Sequence, residues 1–180
     1  MTSTAPELPP GVVALIPMRN FVLFPHALTA ISVGRDPSIA ALRHALENKA
    51  PVGIVLQKNA QEDEPNFASL HAVGTLAMIV HHVEPEQGQH HAVCHGMQRF
   101  RLLEFVEGHP FLAARIDPVA EDTDTSPQAE ALELQLRERA IEMLSLLPAV
   151  PSELVQALQT TRGPSALSDI VAGVIDLDVQ

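Results

Sequence analysis

The stretch Ile16–Leu42, "IPMRNFVLFPHALTAISVGRDPSIAAL", decides how this chain is read. Three prolines, two arginines and a glycine punctuate what is otherwise an apolar run, so the backbone must turn repeatedly between buried segments. Just before it, Val12–Ile16 is fully apolar and bounded by Gly11 and Pro17, which predicts a short buried strand. A second strand is expected from near Leu28 to Gly34. In "RDPSIAALRHALENKAP" the expected helix has Asp36 as N-cap and Pro37 as its first residue. Ile39, Leu42 and Leu46 share one face of that helix, and Pro51 stops it.

Beyond that helix, "VGIVLQ" (52–57) reads as another buried strand, whereas "KNAQEDEPNFASL" is too polar and irregular for regular structure and reads as a surface loop. "VGTLAMIVHHV" (73–83) and "QHHAVCHGMQRFRLLEFVEG" (89–108) are long strand-like runs joined by "EPEQG", the signature of a hairpin. "FLAARI" (111–116) adds a strand before the acidic stretch "DPVAEDTDTSPQ". Ser126 and Pro127 then open a helix in which Ala129, Leu132, Leu136, Ala140, Met143 and Leu147 recur at three- and four-residue steps. Pro148 and Pro151 break it, and "SELVQALQT" and "PSALSDIVAGVI" are two shorter amphipathic helices, the second started by Gly163 and Pro164. With one helix among the strands, repeated crossovers cannot organise the first part, so a mixed, mostly antiparallel sheet curling toward a barrel is expected.

Composition narrows the function. The 180 residues are 46% hydrophobic, enough for a sizeable core, which must be aliphatic because the aromatic residues are six phenylalanines with no Trp or Tyr. A formal charge of −11 opposes nucleic-acid binding, which relies on clustered Lys and Arg releasing counterions from phosphates. Residues 1–118 carry 8 basic and 11 acidic side chains and residues 119–180 carry 3 and 11, an asymmetry that marks a boundary. A single cysteine, Cys94, fits a reducing, cytoplasmic setting. Neither a secretory leader nor a run of about 20 apolar residues is visible, so no membrane partner is expected.

Chemistry-bearing patterns are sparse. Lys49 and Lys58, the two lysines, follow no Gly-rich phosphate loop, and no G-x-S-x-G elbow occurs, so neither ATP binding nor nucleophilic catalysis is expected of this chain. His81, His82, His90, His91 and His95 flank the hairpin with Cys94. If Val83 faces Gln89, His82 pairs with His90 and His81 with His91. Alternation then places any third ligand roughly 13 Å along the strand, too far for a compact metal shell. These residues read as ordinary surface histidines, with no metal or cofactor. Arg99 and Arg101 read as solvated strand positions, and Phe21 and Phe24, flanked by proline, as core residues that leave part of their segment available as an apolar groove edge.

The opening stretch also resembles the start of the N-terminal domain of the Lon family of ATP-dependent serine proteases. Pro17, Arg19, Phe24, Pro25, Val33, Gly34, Arg35 and Ser38 match its signature, "DEPNFASLHAVGTLAMI" is similar to its acidic-proline loop and "VGT" strand, and "GMQRFRLLEF" to its "QR" strand. Asn20, Ala30 and His95 depart from the family pattern. The resemblance covers residues 11 to 175. It implies an α+β, PUA-like fold: a curled, mostly antiparallel sheet or pseudo-barrel with one helix, then a small helical subdomain. The expected organisation is a leader at 1–10, the β-rich domain at 11–118, a linker at 119–126 and the helical part at 127–180. It also implies a non-catalytic role, engaging unfolded or damaged proteins and supporting a homo-oligomer, with ATPase and protease modules in the same full-length polypeptide. A stand-alone adaptor of the same fold is the alternative. The residues expected to touch substrate, around the two motif loops, are Arg19, Phe21, Phe24, Pro25, His26, Arg35 and Asp36.

Overall fold

Strand β1 (Val12–Met18) is apolar along its length because both of its faces are covered. Ala14 and Ile16 enter one core cluster and Leu15 a second, on the opposite side. The computed structural model describes residues 8–84, 89–121, 124–146 and 152–174. Expectations for residues 1–7 of the leader, for the hairpin connector at 85–88, and for Leu147, Pro148, Pro151 and 175–180 fall outside the described residues. The chain divides into two units, Met1–Val119 and Ala120–Gln180.

In the first unit, β2 (Leu28–Val33), α1 (Asp36–Asn48), β3 (Val52–Leu56), a 3-10 turn (Phe67–Ser69), β4 (Val73–Val83), β5 (His90–Val106) and β6 (Ala113–Pro118) follow in order. The sheet runs β2-β5-β4-β3-β1-β6, and β1–β3 is its parallel pair. The 17-residue β5 pairs with β2 along its first half and with β6 along its second, so β6 bridges β1 and β5. The result is a six-stranded mixed sheet curled on itself rather than a closed barrel. Helix α1 covers one side through Ala41, Leu42 and Ala45, all at most 2% exposed, against Ile16, Val52 and Ile54. Phe100, fully buried, fills the other side, its ring occupying the space that Gly53 and Gly74 leave by lacking side chains.

Two local expectations are corrected here. The N-cap of α1 is Arg35, extended at φ −83° and ψ 135°, and Asp36 is already helical, where its carboxylate faces the positive end of the helix dipole. The hairpin register also differs. Val83 pairs with His91, His82 with Ala92 and His81 with Val93, two residues from the expected register, and a bulge between Ile79 and His81 accounts for one of the two. His82 and His90 are therefore diagonal neighbours, yet their rings stack at 5.3 Å with Nε2 and Nδ1 3.1 Å apart.

The second unit holds α2 (Pro127–Ser145), α3 (Ser152–Thr160) and α4 (Pro164–Val174). Ser126 caps α2 as expected, its Oγ accepting the Ala129 amide proton at 3.2 Å. The buried stripe is rotated from the expected one. Ala140 and Leu144 pack with Leu158 and Leu167, while Leu132 and Met143 are more than half exposed. Steps of four, with Leu136 at the margin, win over the mixed steps because α3 and α4 lie against that side. Arg137 ties α2 to the end of α3: it pairs with Glu133 at 2.5 Å and donates to the carbonyls of Leu158 and, at 2.8 Å, Thr161. The guanidinium thus satisfies carbonyls left open at the end of α3.

Candidate functional site

The loop between β1 and β2 is built on left-handed turns and long-range anchors. Asn20 (φ 53°) and His26 (φ 63°) adopt the left-handed region, which asparagine and histidine tolerate better than most side chains. Leu23 is buried, and its carbonyl accepts the Thr75 hydroxyl proton at 2.6 Å. The His26 amide donates to the Gly96 carbonyl at 2.9 Å, and the Gly96 amide to the Ala27 carbonyl at 2.8 Å. A Cβ on residue 96 would lie 2.2 Å from the Phe24 carbonyl oxygen, so this approach requires glycine. The motif segments around Phe24–Pro25, Gly74–Thr75 and Gly96 therefore hold one another.

The same strand end opens onto a groove of about 540 Å³. Its lining joins Leu15 and Pro17 of β1, Gly34–Ser38 at the start of α1, Asp63–Pro65 of the following loop, and Leu112. Arg35 is the keystone. Its guanidinium donates to the Pro17 carbonyl at 2.5 Å and to the Asp63 carbonyl at 3.3 Å, while Arg19 pairs with the Asp63 carboxylate. Burial, and then the charge of Arg19, pull the Arg35 pKa below its ordinary value, and Asp63 opposes them. The loop behind is held by Gln57, whose amide donates to the carbonyls of Asn59 and Glu62, and by an Asn66–Ser69 capping box.

The structure thus separates the seven expected contact residues. Arg35 and Asp36 line the groove and Arg19 joins them through Asp63. Phe21 packs half-buried against the core, Phe24 is half-buried in the turn, Pro25 is buried and His26 is exposed. Asp63, Glu64, Pro65 and Leu112 also line the groove and were not among the expected residues. The signal for the first three was the "DEP" triplet, whose charge reads in sequence as mere solvated loop.

The lining offers apolar walls, prolines and a rim of mixed charge, which is chemistry suited to contact. Cys94 is fully buried and its thiol is pushed up to about 11 by that burial, which suppresses the reactive thiolate. Among the described residues no three His, Cys, Asp or Glu side chains are placed to share a metal ion. No helix among them is long and apolar enough to cross a membrane.

Comparison with known proteins follows the same line. The family profile of the ATP-dependent protease La (LON) substrate-binding domain matches residues 12–180. The chain is 40% identical over 177 residues to a Lon protease of Paraburkholderia phytofirmans, covering 98% of this chain and 22% of that protein. It is likewise 40% identical over 174 residues to a Lon protease of Phenylobacterium zucineum, covering 96% and 22%. The chain therefore spans about a fifth of the length of these curated relatives. Among solved structures, it is similar to the N-terminal domain of a Mycobacterium avium complex Lon protease, with TM-score 0.74 at 21% identity over 91% of this chain and 82% of that one. A Lon N-terminal domain protein from Xanthomonas campestris gives TM-score 0.54 at 19% identity, covering 89% and 97%.

Proposed function

This chain belongs to the Lon protease substrate-binding domain family, and from that premise we propose that it captures unfolded or damaged polypeptides for an ATP-dependent Lon-type serine protease. It does so in the cytoplasm, without bond chemistry of its own, and supports assembly of the oligomer whose ATPase and protease modules lie in the same full-length polypeptide. The observation that carries this reading is the groove at Arg35, where three sequence-distant motif segments converge on an apolar floor. The substrate-contacting set is Arg19, Phe21, Phe24, His26, Arg35 and Asp36, while the buried Pro25 acts from beneath them. Arg19 and Arg35 hold the walls, and the phenylalanines and Pro25 shape the neighbouring turn.

Binding of this kind is sequence-tolerant because removal of apolar area from water is non-directional. A client segment losing roughly 300 Å² of apolar surface gains about 7.5 kcal/mol at roughly 25 cal/mol per Å². Association entropy takes back most of that gain, which leaves weak affinity at each site. Several copies held together would multiply it through effective concentration. The test is to mix the 180-residue chain with an unfolded model protein and with its native, folded form, and to measure both affinities by fluorescence anisotropy. Preferential binding of the unfolded form is expected, and equal absence of binding to both forms refutes the reading.

A further inference from the structure

The chain carries 22 acidic and 11 basic residues, yet residues 26–34, 77–83 and 89–98 contain no Asp, Glu, Lys or Arg. Those segments are β2 and the parts of β4 and β5 beside it. Side chains directly opposite one another share a face, so the register places Leu28, His95 and Met78 in one row across three strands, and Ala30, Val93 and His81 in the next. Leu28 is 65% exposed, and Val80 and Met97, at the two bulges of the β4–β5 ladder, are 56% and 43% exposed. Strand β2 also ends the sheet. Its backbone pairs with β5 on one side, and among the described residues no other backbone group bonds to it.

An open strand end is usually blunted by a charge, a proline, a bulge or a covering segment. Leu28–Val33, "LTAISV", has no charge or proline, and its ladder to β5 runs without a register shift. Its outward N–H and C=O groups are a template for one kind of ligand, a polypeptide in extended conformation, because only that spacing repeats their pattern. The face beside it, free of Asp, Glu, Lys and Arg, matches a segment of uncharged, apolar side chains, since a client's charge buried there would meet no fixed opposite charge.

We propose that the free edge of β2, with the face carrying Leu28, Val93 and Met97, is a client-docking strand: an extended, uncharged segment of an unfolded polypeptide adds to it as a seventh strand. This rests on the reading of the chain as a client-binding domain and locates a second contact surface apart from the Arg35 groove. A second copy of this chain is the poorer occupant. A net charge of −11 on each copy opposes association, and a six-residue edge, roughly 20 Å long, is short of the area that stable dimers bury.

The experiment uses the full 180-residue chain and a reduced, carboxymethylated globular protein as the unfolded probe. Ala30→Lys and Leu28→Lys place a charge at exposed positions of the edge strand, and Ala131→Lys places the same charge on an exposed face of α2. Affinity is expected to fall tenfold or more for each edge variant and to stay within twofold for Ala131→Lys. Amide hydrogen exchange in β2 should slow at alternate residues when the probe is bound. If the parent binds the probe and both edge variants bind it equally well, the docking strand is overturned while the client-binding reading stands. If the parent does not bind at all, both fall. Protection of β2 that rises with protein concentration in the absence of probe would assign the edge to self-association and overturn the proposal.

Discussion

Replacing Gly96 with alanine tests how the motif loop is held. The added Cβ would sit 2.2 Å from the Phe24 carbonyl oxygen and 3.1 Å from its carbon, so backbone rather than a flexible side-chain tip must move. Moving the turn breaks the pair of hydrogen bonds that Gly96 makes with His26 and Ala27, at about 1 kcal/mol each. It also uncovers part of Leu23, which is 3% exposed and whose full burial contributes roughly 1.5–3 kcal/mol. The sum is about 3 kcal/mol, a large share of the roughly 5–15 kcal/mol that stabilises an ordinary domain. Gly108→Ala is the matched control. Nothing lies within 4 Å of its added methyl, and the cost there is the left-handed backbone alone (φ 95°), about 1–2 kcal/mol. Urea unfolding followed by circular dichroism, with the slope checked for constancy, gives both values. A Gly96→Ala loss under about 0.5 kcal/mol, or one smaller than that of Gly108→Ala, would refute the claim that close approach of the loop determines this glycine.

Arg35→Gln removes the bridge from Pro17 to Asp63 and is expected to cost about 1–2 kcal/mol, since the bonds are charge-assisted but half-exposed. Hydrogen exchange should quicken across residues 57–66, and Arg35→Lys should not restore protection because a single ammonium cannot span both carbonyls. His44 and His82 are both held below the ordinary imidazole pKa, first by burial and then by His109 and His90 respectively, with Glu47 and Glu84 opposing. Below about pH 6.5 the unfolded chain takes up protons that the fold resists, so stability falls on acidification. The urea midpoint should drop from about pH 7.5 to about pH 5.5, and a His44→Gln/His82→Gln variant should drop less; equal drops refute the assignment. In the helical unit, Leu144→Ala is expected to cost about 3 kcal/mol and Leu132→Ala less than about 0.5, and the reverse order in thermal unfolding would restore the stripe expected from spacing.

The features legible from the residues alone are local ones. The bounds of β4 at 73–83, the Ser126 cap, the single helix among the strands and the Lon-like motifs all rest on periodicities and capping energies that act within a few residues. Family membership was legible because those motifs sit in the right order, and the comparisons agree with it. Where the deciding contacts were distant in sequence, reading stopped. The histidine register turned in part on a bulge between Ile79 and His81, whose extra residue has no composition signal. The buried side of α2 was chosen by α3 and α4, because a helix with leucines around much of its circumference offers several stripes and the neighbours pick one. The Arg35 groove is the clearest case. Pro17, Arg35 and Asp63 each read as turn, charge and loop, and only the tertiary fold supplies the 2.5 and 3.3 Å bonds that make them one wall. Such hydrogen bonds join segments tens of residues apart, and bringing those segments together costs loop-closure entropy that no local pattern records.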